Sequence, residues 1–223
     1  MSARAWAAAT AALGVATIAL FVTFALLPEV RAAAGCLQAG AVVQFELARN
    51  SEDLARIFGG GEGCGPLAIA AMDAVNRLDL IAFIPIYTAF ACAAALFLAD
   101  GALRPLSIAA IVAALGATAS DYLETTTLLR ITQTLDAPEA LLPFSQAGAW
   151  IKFSLLAAHG VFCAGLCFLA ARRRLVLGAL LLLPVLGVAL AAYDHVRLAS
   201  VMNAAFALAW LGVLATAVMS RWR

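Results

Sequence analysis

The sequence predicts an all-α fold: a polytopic transmembrane helical bundle of about six spans, with a short extracytoplasmic amphipathic helical segment between spans one and two. Three observations carry this. Hydrophobic residues make up 65% of the 223 and charged residues 12%, where soluble domains use roughly a quarter charged. Apolar runs recur at Trp6–Leu27, Leu78–Ala99, Leu106–Leu129, Trp150–Ala171, Leu175–Ala192 and Ala199–Met219, each close to the about 20 residues that cross about 30 Å of hydrocarbon. Turn-forming residues fall between them: Pro28, then Asp100-Gly101 with Arg104-Pro105, then a polar loop from Asp136 to Pro143. A single membrane domain, residues 1–223, is expected, with 28–77 as an external segment inside it.

Orientation follows from basic residues, which hold short loops on the cytoplasmic side during insertion. Arg172-Arg173-Arg174 is the strongest such signal, and Arg4, Arg104, Arg221 and Arg223 fall on the same side in a six-span chain. Both termini are therefore expected in the cytoplasm. Residues 28–77, the loop 130–149 and the corner Tyr193-Asp194-His195-Val196-Arg197 then lie outside. Arg4, the first apolar run and Ala33-Ala34-Gly35-Cys36 imitate a cleavable lipoprotein signal. The run is as long as a full span, however, and Pro28, Glu29 and Arg31 interrupt it before the cysteine, so a span is the expectation. With a net charge of +1 and no basic stripe, a nucleic-acid partner is not expected.

The external segment carries its own pattern. Val43, Leu47, Leu54 and Phe58 recur at helical spacing while Glu46, Arg49, Asn50, Asp53 and Arg56 occupy other faces. One or two short helices lying on the outer membrane surface are expected, with a break near residue 50, where Asn50 or Ser51 before Glu52-Asp53 reads as an N-cap and acidic first turn. Gly59-Gly60-Gly61 ends the pair. Pro66 suits the first turn of a helix that runs on into the second span. Cys36 and Cys64 are the two cysteines of this segment, and an oxidising compartment lets them bridge. Cys92, Cys163 and Cys167 fall within spans and read as small apolar fillers.

Ionisable side chains inside a span cost about 2.5 to 3.5 kcal/mol on insertion scales, so each is a candidate for function. Here they are Asp79, Asp121, Glu124, Lys152 and His159, and the topology puts all five in the outer half of the bilayer. In the second span Asn76, Asp79, Phe83 and Tyr87 share a face, and Pro85 is placed to open a backbone carbonyl beside them. Asp121 and Glu124 are one turn apart in the third span and are followed by Thr125; Ala113, Ala114 and Ala117 below them admit a close neighbouring helix. Two nearby carboxylates hold protons unequally, which suits acid–base work and proton exchange alike. Lys152 is the sole lysine among arginines. It reads either as an anchor reaching the interface or as a partner for Asp121 or Glu124. His159 lies two turns deeper on the same face, where hydrogen-bonded packing is the common role.

Glu46 and Arg49, with Gln44, offer a polar surface from the external helix, Arg49 bringing the planar donor that suits phosphate. Asp194, His195 and Arg197 sit at the outer end of the fifth span. Asp79, Asp121, Glu124 and His159 are chemically able to bind divalent ions, but they form no recognised ligand motif, so no metal is assigned. Haem through His159 and His195 is disfavoured by their separation in depth, and the cofactor stays unknown.

Gln44-Phe45-Glu46-Leu47-Ala48, Asp79 with Tyr87, Asp121 with Glu124, and Lys152-Phe153 together, over roughly residues 40 to 155, resemble a widespread family of small bacterial inner-membrane proteins. The resemblance implies a bacterial inner (plasma) membrane location and supplies no activity; this chain has Thr125 where that pattern has asparagine. The expected function is a polar pocket facing the outer leaflet that binds or modifies a lipid head group or other amphiphile. Asp121, Glu124, Lys152 and Asp79 are its catalytic candidates, and Tyr87, Glu46, Arg49 and His159 its binding candidates. The alternatives are a small proton-coupled transporter, disfavoured by nearly uncharged inner halves of the spans and the lack of an evident inverted repeat, and a structural or assembly protein without catalysis.

Overall fold

The computed structural model describes residues 2–38, 40–99, 103–170 and 174–220, so the Asp100-Gly101 turn, Arg172, Arg173, Arg221 and Arg223 lie outside the described residues. Six helical stretches are long and apolar enough to cross a membrane: α1 (Ala3–Leu26), the continuous stretch Cys64–Leu98, α7 (Arg104–Ile131), α8 (Leu142–Leu169), α9 (Leu175–Tyr193) and α10 (Ala199–Ser220). Between the first two stand α2 (Pro28–Ala32), α3 (Ala41–Glu46) and α4 (Ser51–Phe58). The stretch Cys64–Leu98 comprises α5 (Cys64–Leu78), a π-helical turn Asp79–Phe83 and α6 (Ile84–Leu98). The all-α bundle of six spans is thus the fold. Large apolar side chains such as Phe21, Val22, Ile81, Val112, Val176 and Leu186 are exposed, an apolar surface that a soluble monomer does not carry and that a lipid solvent accommodates.

Two compact units are distinguished: unit 1, Met1–Ile18, Ile86–Thr118 and Lys152–Arg223; and unit 2, Ala19–Pro85 and Ala119–Ile151. Unit 1 packs through small residues. Ala7, Ala11, Ala94, Ala95, Ala110, Ala164, Ala209 and Ala217 are buried with Phe90 and Leu166, and small contact residues let helix backbones approach where lipid removes the hydrophobic drive for association. Gly187 of α9 shows how close: a Cβ there would meet Met202 Cα of α10 at 2.9 Å. Trp210 lies against both Tyr87, stacked at 5.7 Å, and Phe90, edge-on at 5.9 Å.

Within unit 2, Pro28 follows the first span and opens α2 at its first turn. The break near residue 50 falls as the sequence requires. Asn50 is extended (φ −155°, ψ 173°) and its side chain accepts from the Asp53 N–H at 2.9 Å, an N-cap contributing about 1 kcal/mol. Asp53 closes the corner, accepting from the Arg49 N–H at 2.8 Å and from Arg56 Nη2 at 3.0 Å. α3 and α4 do not bury their apolar faces in a lipid surface as expected. Phe45, Leu54, Ile57 and Phe58 pack with Ala68 and Met72 of α5, Leu128 and Ile131 of α7, and Leu142 of α8. Phe45 and Phe58 meet edge to face at 5.1 Å inside this cluster, a geometry worth about 0.5 to 1.5 kcal/mol beyond burial.

Cys36 and Cys64 form a disulfide, fastening the chain after α2 to the first residue of α5. Gly63, at φ +82°, takes the left-handed turn that precedes this helix at no Cβ cost. The second span starts well before Leu78, as Pro66 anticipates. The fourth also starts early: Pro143 occupies the first turn of α8 rather than the loop, because a helix start leaves the missing N–H without consequence.

Candidate functional site

Within unit 2, α5 and α7 run antiparallel and are joined by hydroxyl–carboxylate rungs. Thr132 Oγ1 donates to Asp73 Oδ1 at 2.6 Å. Two turns further along α5, Thr125 Oγ1 donates to Asp79 Oδ2 at 3.0 Å and lies 3.4 Å from Asp121 Oδ1. Thr125 has one hydroxyl proton, so a single donor stands between two carboxylates. Asp121, Glu124 and Thr125 are buried and Asp79 half-buried. The structure therefore brings Asp79 and Asp121 together through a residue named in the sequence reading only as a departure from a pattern.

The backbone under Asp79 is unusual. Its carbonyl accepts from the Ile84 N–H, five residues on, and such π-helical turns inside α-helices concentrate at functional sites. Pro85 follows at once, without an N–H to continue the α ladder. The sequence reading had Pro85 open a carbonyl; here the irregularity takes the form of a widened turn that begins at Asp79.

α8 supplies the third wall of the cluster. Ser120 Oγ donates to the Gly148 carbonyl at 2.8 Å, and a Cβ at Gly148 would stand 2.8 Å from Glu124 Cβ and 3.1 Å from Glu124 Cα. The helix thus passes Glu124 at a distance that only glycine permits. Nothing in an apolar run marks that glycine, and sequence reasoning did not single it out. Two further polar side chains of unit 2 are buried, Asn76 on α5 and Ser145 on α8. Among the described residues neither Asn76 Nδ2 nor Ser145 Oγ has a hydrogen-bond partner.

The remaining candidates are distributed as follows. Glu46 ends α3 and is half-buried; Arg49 follows in the same connection, exposed, and contacts Asp53 through its backbone N–H. Both belong to unit 2. Tyr87, Lys152 and His159 belong to unit 1, and all three are buried. Lys152 Nζ sits 4.6 Å from the centroid of the Phe153 ring. His159 Nδ1 lies 3.0 Å from the Ala110 carbonyl and Nε2 3.5 Å from Cys163 Sγ. A carbonyl only accepts, so Nδ1 donates to it, and Nε2 lies beside the Cys163 thiol. That closed arrangement is the packing role named from the sequence. Asp194 serves the turn after α9: its Oδ1 accepts from the Arg197 N–H at 3.0 Å and the Val196 N–H at 3.1 Å. The Arg197 N–H first, then that of Val196 and the charges of Arg197 and His195, hold its carboxyl below the ordinary value against a smaller opposing effect of burial. Among the described residues, no three His, Cys, Asp or Glu side chains are grouped to hold a metal ion.

No family model, curated protein or solved structure matches the chain. Its class rests on its own architecture: it is an integral, multi-pass helical membrane protein carrying a disulfide.

Proposed function

We propose that this protein binds the polar head of a membrane amphiphile beside Asp79, Asp121 and Glu124, and that any chemistry on that head uses Asp121 and Glu124 as acid and base. The observation that supports the reading most is the sharing of the Thr125 hydroxyl between Asp79 and Asp121 at the first residue of a π-helical turn. The rung at Asp73 shows what helix joining alone requires: one hydroxyl and one carboxylate. Around Thr125 three acidic side chains occur within one turn of α7 and the facing turn of α5, far more intramembrane charge than packing needs. Arg49, also in unit 2, enters as a candidate for an anionic part of the ligand, to be tested by substitution.

The orientation belongs to the same proposal: the membrane is a bacterial inner membrane, both termini are cytoplasmic and residues 28–77 lie outside. The Cys36–Cys64 bridge supports this, since disulfides persist in oxidising compartments. Reporter fusions after residues 38 and 101 should report opposite sides, the first external; the inverse pattern overturns the orientation. For the site, the full chain purified in mild detergent is examined by native mass spectrometry for retained amphiphiles. Retention by the wild type and its loss in Asp121→Asn and Glu124→Gln supports the reading, and equal retention in all three overturns it.

A further inference from the structure

The exposed sides of three spans change character at one height. On α7 the outward stripe runs at helical spacing from Ile108, Val112 and Leu115 to Leu123, and turns polar at Thr126 and Arg130, all of them exposed. On the second span Ile81 is 79% exposed, and Arg77, one turn nearer the chain start, has a side chain 67% exposed. On α1 Leu26 is the last exposed large apolar residue, and Glu29 and Arg31 are exposed after it. The rungs fix relative heights: Asp73 meets Thr132 and Asp79 meets Thr125, so Ile81 is level with Leu123, and Arg77 stands one turn farther out. The Phe24 ring lies 5.3 Å from that of Phe83. Consecutive spans run in opposite directions, so Leu26 comes level with Ile81 as well.

Such a switch marks where lipid tails give way to head groups, because a charged side chain is costly in hydrocarbon and a row of exposed apolar ones is costly in water. From Arg104 to Leu123 α7 covers about 28 Å at 1.5 Å per residue, close to the about 30 Å of hydrocarbon. Tyr122 is exposed at this height, and tyrosine concentrates at membrane interfaces. Farther out, unit 2 exposes only Leu67 and Phe144 as large apolar side chains among the described residues, and single ones are ordinary on a wetted surface. The apolar run of the third span continues to Leu129 in sequence, but Leu128 and Ile131 are buried with Phe45 and Leu54 of the external segment. We infer that the hydrocarbon ends at Leu26, Ile81 and Leu123, and that Arg77 and Arg130 stand in the head-group layer beyond it, each holding a lipid phosphate. They lie about 6 and 10 Å past that limit along their helices, and the long arginine stem reaches back toward it. The planar guanidinium fork matches phosphate oxygens. Asp73 approaches Arg77 only to 3.6 Å, beyond hydrogen-bond length, which leaves its donors for phosphate. Asp79 and Asp121, at the same height, then sit at the edge of the hydrocarbon, level with lipid heads.

The test uses the full-length chain in vesicles of phosphatidylcholine and phosphatidylglycerol, with one nitroxide on an introduced cysteine and the unsubstituted chain treated alongside as background. Depth is read from collisions of the nitroxide with oxygen, which concentrates in hydrocarbon, against those with a water-soluble nickel chelate. Ile81→Cys and Leu123→Cys should report hydrocarbon, and Thr126→Cys and Arg130→Cys the head-group layer or water. Readings for Thr126→Cys and Arg130→Cys as deep as that for Leu123→Cys overturn the limit and the inference with it. The phosphate contacts are tested by native mass spectrometry, phosphatidylglycerol competing with a phosphate-free diglucosyl diacylglycerol of the same tails. Arg77→Gln combined with Arg130→Gln should lower the preference for phosphatidylglycerol about fivefold or more, the scale of one arginine at an anionic surface. Both side chains are exposed, so the substitutions leave packing intact. A wild type without that preference, or a preference that the double substitution leaves unchanged, overturns the phosphate contacts.

Discussion

Units 1 and 2 satisfy their buried polar groups in different ways. In unit 1 several polar side chains close on themselves or on backbone: Thr88 with Thr118 at 2.7 Å, Ser107 onto the Ala95 carbonyl at 3.2 Å, His159 between the Ala110 carbonyl and Cys163. These are neutral pairings among alanines, the economical way to join helices in lipid. Lys152 and the Thr10 hydroxyl are buried there as well, the latter without a hydrogen-bond partner among the described residues. In unit 2 the joins use carboxylates, one hydroxyl serves two of them, and Asn76 and Ser145 are buried as well. The joins thus differ in kind: neutral hydroxyl and backbone pairs in unit 1, and hydroxyl–carboxylate pairs in unit 2. Unit 2 also carries the disulfide and the covering layer of α3 and α4, so the region with the costlier polar content is the one given extra covalent and apolar support.

The largest expected effect tests that support. Cys36→Ser removes a bridge between residues 28 apart in sequence, and loop-closure entropy puts the loss at about 3 to 4 kcal/mol. Thermal unfolding in detergent should shift down markedly, protease should cut 38–63 readily, and the wild type under reductant should match the variant. Equal stability of both would show that the apolar cluster alone holds unit 2. Next comes Gly148→Ala, whose new methyl would press on Glu124; overpacking of this kind costs about 1 to 3 kcal/mol. An alanine at this position with unchanged stability would refute the close passage of α8 over Glu124.

A smaller effect separates the two kinds of polar join. Double-mutant cycles on Asp79→Asn with Thr125→Val and on Thr88→Val with Thr118→Val should each return coupling near the about 0.6 kcal/mol typical of membrane hydrogen bonds. Only the first cycle should alter amphiphile retention, and a change confined to the second would reverse the assignment of the site to unit 2. The smallest effect is at the exposed turn after α9. The Asp194 carboxyl is held below its ordinary value in the fold, so its contribution is present above the unfolded-chain value of 3.8 and fades as pH falls through the lower folded value. Asp194→Asn should lower stability slightly at neutral pH, where the contribution is present, and remove the fall in that acid range, where wild type and variant converge.

Much of this architecture was legible in the sequence because its signals are local. Six apolar runs, Pro28 at a helix start, Asn50 before Glu52-Asp53, and Pro66 in a first turn depend on neighbours within a few residues, and the chain folds accordingly. Asp79, Asp121 and Glu124 were legible as candidates because charge in an apolar run is conspicuous. What joins them was not. Whether the Thr125 hydroxyl turns to its own helix or to Asp79 depends on the register of two helices more than forty residues apart in sequence. Gly148 among apolar residues looks like any small residue until Glu124 is found beneath it. The lipid-surface reading of α3 and α4 failed for a related reason: an amphipathic pattern states that one face is covered and does not state by what.

The stretch Cys64–Leu98 runs 35 residues without a gap, about 50 Å of helix against about 30 Å of hydrocarbon. The stretch is thus longer than a perpendicular crossing requires. One rod holds a covalent fastening at its first residue and, farther along, the carboxamide and carboxylate of Asn76 and Asp79. A spectroscopic label placed near that first residue would feel a shift of the rod without touching Asn76 or Asp79.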